Sequence, residues 1–224
     1  VEAAAALPKP ENIQLISKDK YRFIGKPQKR LDTGSKVDGS AQYGIDVRLP
    51  GMLYAALAQS PELGATLESF DGEKIKTMPG VKQVIQTSSG VAVIADSWWQ
   101  ARQARDALEI KWKSGPNAKL NNAAIYAGLK TAAAGKGRMV RSEGDADAGL
   151  KAASKRVEAV YELPMLAHAT LEPQNCTAEF KDGECHIYAP TQAQLMAQAA
   201  AAQAAGLPAE KVFVHTTFLG GGFG

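Results

Sequence analysis

The sequence predicts an α+β fold, and three observations carry that assignment. Between residues 29 and 113, short β-branched or apolar runs alternate with two short helical patterns. From 114 to 150 the chain is punctuated by Gly-Pro, Asn-Asn and Gly-Lys-Gly around an Ala-rich helical stretch, the composition of a linker that carries a helix. From 151 to 224 a second β-rich region holds another Ala-rich helix and runs into a glycine cluster. Residues 1–28 show neither helical nor strand period for long and read as a connector.

Taken in order, Tyr43, Ile45 and Val47 alternate with polar residues, Leu49-Pro50-Gly51 makes a turn, and Leu53 to Ala58 runs apolar, which predicts two strands about a tight turn. Ser69 to Thr77 reads as a short helix entered near Asp71 and ended by Pro79-Gly80. Val81–Gln86 and Val91–Ala95 read as strands. Ser97-Trp98-Trp99-Gln100 has the form of a capping box, and Ala101, Ala104, Ala107 and Leu108 recur on one helical face before Ile110-Lys111-Trp112 returns to strand. In the linker the helix is expected near 123–134, and Asp145 caps another short one. Strands are then expected at Val157–Leu163, Thr177–Phe180 and Cys185–Tyr188, followed by a helix from Gln194 to Ala205 that Gly206 and Pro208 end, and a last strand at Val212–Leu219.

Composition limits the function classes. Apolar residues make up 45% and charged residues 22% of the 224, the balance of a globular chain, and no apolar run reaches membrane-spanning length. Lys plus Arg exceeds Asp plus Glu only by 26 to 23, and the basic residues are scattered, so nothing points to nucleic acid. The first residue is Val1 with no signal-like segment before it, so a processed or longer precursor is expected. If Asp182-Gly183 is a two-residue hairpin turn, Phe180 faces Cys185 and Cys176 faces Ala189. The sulfurs then lie on different rungs, and buried free thiols are expected rather than a disulfide.

Several constellations invite chemistry. His168, His186 and His215 fall on separate predicted elements with no ligand spacing between them, which argues against zinc. Trp98 and Trp99 begin a helix and read as packing residues. Glu172, between His168 and Asn175-Cys176, reads as a hydrogen-bonded carboxylate bracing a loop, with a catalytic acid or base as the sharper alternative. Gln192 sits where a strand ends and a helix begins, so its amide lies near the positive end of the helix dipole, suited to an oxyanion or metal-bound oxygen; a capping role is the plainer reading. Four glycines among Gly220-Gly221-Gly222-Phe223-Gly224 free the backbone to approach an anionic guest, although the same composition serves a flexible turn or chain end. The alternation is not that of a dinucleotide fingerprint. Should the strands before Gln192 and before the glycines be neighbours, both turns open on one end and form a pocket.

The residues carry a resemblance. Arg30-Leu31-Asp32, Lys36 to Ala41, Asp46 to Ala55 and Met78-Pro79-Gly80-Val81 resemble the α/β hammerhead domain of the molybdenum hydroxylase large subunits, the family of xanthine dehydrogenase and aldehyde oxidoreductase. Ala95 to Ala101, Leu166-Ala167-His168, Leu171-Glu172-Pro173, Ala189-Pro190-Thr191-Gln192 and Leu219 to Gly224 are similar to its isoquinoline 1-oxidoreductase beta-subunit branch. The resemblance implies a hammerhead domain over 29–113 and the first part of a mixed α/β molybdenum-cofactor-binding domain over 151–224. It implies oxidation of an N-heterocycle or an aldehyde with water-derived oxygen, and molybdopterin cytosine dinucleotide as cofactor. Gln192 matches the glutamine that hydrogen-bonds a molybdenum oxygen ligand, and Gly221, Gly222, Phe223 and Gly224 match the loop whose backbone approaches the cofactor.

The departures shape the expectation as much. In that family the catalytic glutamate lies far beyond the glycine loop, so this chain carries no catalytic residue of its own and is expected to be inactive alone. Electrons would leave through iron–sulfur clusters on a separate small subunit, a partner alongside the rest of the large subunit and a small-molecule substrate. The branch often carries an export signal, so a periplasmic or membrane-associated location is expected, with the cytoplasm as alternative. The rival reading is a non-catalytic binding or assembly module with the same fold.

Overall fold

The computed structural model describes residues 2–9 and 11–223, so Gly224, the last expected loop glycine, lies outside the described residues. Two short helices, α1 (Glu2–Ala5) and α2 (Thr33–Asp38), open the chain. Two compact units then divide it: residues 48–166, and residues 1–47 together with 167–224. The limits expected at 29, 113 and 151 are not the limits of these units.

In the 48–166 unit the elements are β1 (Tyr54–Ala58), β2 (Thr66–Phe70), α3 (Glu73–Lys76), β3 (Val81–Thr87), β4 (Gly90–Ala95), α4 (Trp98–Asp106), β5 (Ile110–Lys113), α5 (Asn122–Ala133) and α6 (Ala146–Ala152). Antiparallel β1-β4-β3 forms one sheet and antiparallel β2-β5 another. β4 is an unbroken apolar run because it is the central strand, with Val91, Val93 and Ala95 fully buried. Helix α4 lies on this sheet through Ala101 and Ala104, whose small side chains meet Ala56, Ala95 and the apolar cluster of Ile75, Val84, Val91, Val93 and Leu108. Ala107, expected on the same face, is exposed. Trp98 and Trp99 are also exposed, at 50% and 60%, so they are not core packing.

Ser97 starts α4 as expected, its hydroxyl oxygen accepting from the Gln100 N–H at 3.3 Å. The box closes differently from its usual form, because the Ser97 hydroxyl donates to Gln100 Oε1 at 2.9 Å. Replacing an N-cap serine by alanine leaves a helix N–H without its partner. Ser97→Ala is therefore expected to cost about 1 kcal/mol, read from the urea midpoint of tryptophan fluorescence.

Two expectations fail in this unit for identifiable reasons. Thr66–Phe70, partly assigned to a helix, is a strand paired with β5, and the helix begins only at Glu73. A bulge between Leu67 and Ser69 turns both Leu67 and Phe70 toward the core, a three-residue spacing that mimics a helical face. The Val157–Leu163 run pairs with no strand among the described residues. Its Val157, Val160 and Tyr161 side chains are exposed, and it runs along α5 through a Tyr126 hydroxyl donating to the Leu163 carbonyl at 2.8 Å and a Lys130–Glu162 ion pair at 2.7 Å. β-branched composition makes a strand only where a neighbour supplies the ladder.

In the other unit β6 (Thr177–Lys181) and β7 (Glu184–Ala189) form the expected hairpin, with Asp182 and Gly183 at φ of 53° and 77° as a turn of this kind requires. Phe180 pairs with Cys185 in the expected register. Both thiols are free; Cys185 is buried, whereas Cys176, expected to be buried, is exposed. α7 (Gln194–Ala205) crosses over to β8 (Val212–Thr216), which lies parallel to β7. Gly206 ends α7 in the left-handed conformation at φ 65°. Cys185, Ile187, Ala189 and Val212 face Ala202 and Leu207 to form the core. On the opposite face His186 stacks on Phe213 and His215 on Tyr188, and His186 Nδ1 lies 3.0 Å from His215 Nε2. The last strand stops at Thr216, short of Leu219, and Phe218 makes an isolated bridge to Tyr43 instead. Residues 43–47, expected as a strand, wind into a 3-10 turn at Gly44–Asp46, whose Asp46 carboxylate accepts from the Tyr43 N–H at 3.0 Å.

Candidate functional site

Because β7 and β8 run parallel, their C-terminal ends lie side by side, and the turns that leave them open at the same end of the sheet. The first turn is Pro190-Thr191-Gln192. The Thr191 hydroxyl oxygen accepts from the Ala193 N–H at 3.0 Å just ahead of α7. The second turn is the glycine stretch. The two meet directly: a Cβ on Gly222 would stand 2.5 Å from Gln192 Oε1, so a side chain there would push the carboxamide aside. Gln192 and Gly222, singled out separately in the sequence, are thus one contact.

The loop is held by residues upstream. Gly220 donates its N–H to Glu172 Oε2 at 2.7 Å, and the Glu172 N–H donates back to the Gly220 carbonyl at 3.2 Å. Gly221, at φ 133°, lies against Thr170, whose hydroxyl donates to the Glu172 carbonyl at 2.7 Å. Phe223, at φ 60°, stacks on His168 with ring centroids 5.1 Å apart. Between them Ala169 takes a positive φ of 49°, a conformation costly for a residue with a Cβ. Glu172 fulfils the bracing role expected of it. Its other oxygen, Oε1, accepts from the Ile45 N–H and from Asn175 Nδ2, both at 3.0 Å. Burial pushes the carboxyl up, but hydrogen bonds from Asn175 and from the N–H groups of Gly220, Ile45 and Gly44 outweigh it and hold Glu172 below the ordinary glutamate value.

Gly44 and the 168–170 turn were not identified from sequence. The signal for Gly44 was there, a glycine inside an alternating apolar stretch, which marks close backbone approach. Nothing in the sequence announces the strained Ala169. Among the described residues, no group of three or more His, Cys, Asp or Glu side chains could hold a metal ion. The arrangement fits another kind of guest: a loop nearly stripped of side chains, a carboxamide beside it, and one neighbouring carboxylate whose charge is already met by N–H donors. The N–H donors around Glu172 reduce, without removing, its repulsion of a large anionic cofactor approaching such a wall.

A family model described as the molybdopterin cofactor-binding domain matches residues 131–224, the stretch that contains both turns. The chain is also 31% identical, over 100% of its own length, to the isoquinoline 1-oxidoreductase subunit beta of Brevundimonas diminuta. This chain is similar to the large subunits of molybdenum hydroxylases. The match covers 30% of that relative, so the chain spans under a third of its length. A second relative, the membrane-bound aldehyde dehydrogenase (pyrroloquinoline-quinone) of Gluconacetobacter polyoxogenes, is 31% identical over 91% of the chain and 28% of its own length. In fold, the chain is similar to quinoline 2-oxidoreductase from Pseudomonas putida 86, with a TM-score of 0.66 and 18% identity over 92% of this chain and 31% of that one.

Proposed function

We propose that this chain forms part of a molybdenum hydroxylase that oxidises an aromatic N-heterocycle or an aldehyde and passes the electrons to an iron–sulfur subunit. The observation that carries the reading is the seating of the Gln192 carboxamide on Gly222 at the shared end of two parallel strands. In the proposed site Gln192 offers its amide, and Gly221, Gly222 and Phe223 offer a close-approaching backbone; Gly224, the other expected cofactor-loop residue, lies outside the described residues. When bound, molybdopterin cytosine dinucleotide supplies two-electron redox chemistry at molybdenum. This chain's own residues bind and orient: Gln192 donates or accepts one hydrogen bond at a fixed point, and the glycine backbone admits bulk that side chains would exclude. The hammerhead domain is proposed over 29–113 and the opening of the cofactor domain over 151–224, the latter within the 131–224 stretch that the family model matches. The acid–base chemistry belongs to residues outside this chain, which is inactive alone.

Relatives named for isoquinoline and for aldehyde support both substrate classes. The second relative's name includes a quinone, but the family model matched over 131–224 describes molybdopterin, which favours the molybdenum reading. A periplasmic or membrane-associated location is part of the proposal. The test uses the full-length subunit coexpressed with an iron–sulfur partner. It is expected to carry about one molybdenum per chain by elemental analysis, and Gln192→Ala is expected to lower kcat about tenfold, the loss of one modest hydrogen bond in the transition state. Folded, metal-free protein from a molybdenum-replete host sinks the enzyme reading and leaves a non-catalytic module.

A further inference from the structure

Glu172 is the point where three distant pieces of backbone meet: the Gly44–Ile45 turn, the 172–175 segment and the glycine loop at Gly220. Two carboxylate oxygens face N–H donors from Ile45, Gly220, Gly44 and the Asn175 amide. Only an acceptor-only group satisfies that many converging donors. The fit is also steric. A Cβ on Gly220 would stand 2.2 Å from Glu172 Cβ, and one on Gly44 would stand 2.6 Å from Asn175 Oδ1, so both glycines let the backbone close on this side chain and its partner.

We propose that Glu172 is a positioning residue, which as a carboxylate sets where the Gly220–Phe223 loop lies against Gln192 and so acts on the cofactor through the loop rather than by touching it. The role rests on the molybdenum reading of the site. The other charged groups on the packed segments have partners elsewhere. Asp46, on the 43–47 turn, accepts from the Tyr43 N–H, and Lys36, on α2, lies over the Phe218 ring and pairs with Asp32. Hydrogen bonds from Lys36 and then Arg30 hold Asp32 down at about 2. His168 stacks on Phe223 within the same loop contact.

Hydrogen exchange of the 224-residue chain tests the loop contact without any cofactor. Glu172→Gln brings an N–H₂ toward the donors, and exchange over residues 217–223 is expected to quicken at least tenfold while the 90–95 amides keep their protection. Unchanged exchange over 217–223 overturns the proposal. Should that variant not fold, the unaltered chain is titrated from pH 7 to pH 3, with exchange corrected for its intrinsic pH dependence. A carboxyl held below its unfolded value contributes fully above about pH 4.3 and loses its contribution as the pH falls through the folded value. Loop protection is expected to hold down to that point and then fall before the β7 and β8 amides lose theirs. Loss of loop protection only together with that of the whole sheet overturns the proposal. In the full-length subunit, a Glu172→Gln loop that is loosened with full molybdenum content overturns the positioning role and leaves the molybdenum reading standing, whereas metal-free unaltered subunit overturns that reading. Molybdenum content reduced at least threefold alongside the loosened loop supports both.

Discussion

Gly44→Ala is expected to destabilise the unit of residues 1–47 and 167–224 by about 2–3 kcal/mol, through overpacking at a site that cannot relax. The added methyl would fall 2.6 Å from Asn175 Oδ1 and 2.6 Å from Pro190 Cδ. Neither neighbour can yield readily. The proline is a ring, and the asparagine is pinned through Nδ2 to Glu172 Oε1 at 3.0 Å and to the Pro173 carbonyl at 2.8 Å. Moving the Gly44 backbone instead would pull its N–H from Glu172, so the strain is shared with the glycine-loop brace. Hydrogen exchange is the fitting probe, because every tryptophan, Trp98, Trp99 and Trp112, lies in the other unit. Protection of the β7 and β8 amides should fall. A variant with wild-type protection there would show that Pro190 and Asn175 can retreat.

Ile75→Ala is expected to cost the 48–166 unit about 2–4 kcal/mol, the usual range for truncating a buried large aliphatic side chain. Ile75 is only 3% exposed and fills the space between Val84, Val91, Val93, Ala104 and Leu108. The loss has a transfer part and a cavity part, and Ala104 on the facing helix is too short to fill the gap. Tryptophan fluorescence reports this unit directly, so the urea midpoint should fall with little change in slope. A cost below about 1 kcal/mol would mean that α3, a single turn, shifts inward and closes the cavity.

Ser69–Thr77 and Val157–Leu163 mark the limits of reading this chain by period. In both, local composition was informative, but the outcome depended on partners: a bulge against β5 in the first, and the lack of a ladder neighbour among the described residues in the second. The candidate site divides in the same way. Gln192 and the glycines were legible because a carboxamide at a strand end and a run lacking side chains each have a chemical meaning by themselves. Gly44, Ala169 and Thr170 were not, since each matters only through what lies against it.

By itself the sequence determined the local pieces: the β6–β7 hairpin and its register, the unbroken apolar β4, the Ser97 and Asp145 helix caps, and the span of α7. These follow from side-chain period, turn chemistry and capping, whose causes lie within a few residues. Only the tertiary structure decided that β7 and β8 are parallel neighbours, that Gln192 therefore rests on Gly222, and that Glu172 draws Ile45 and Gly220 together across 127 and 48 residues of chain. Contacts over such separations are set by which strands pair and which backbones can approach, and no local pattern encodes that choice.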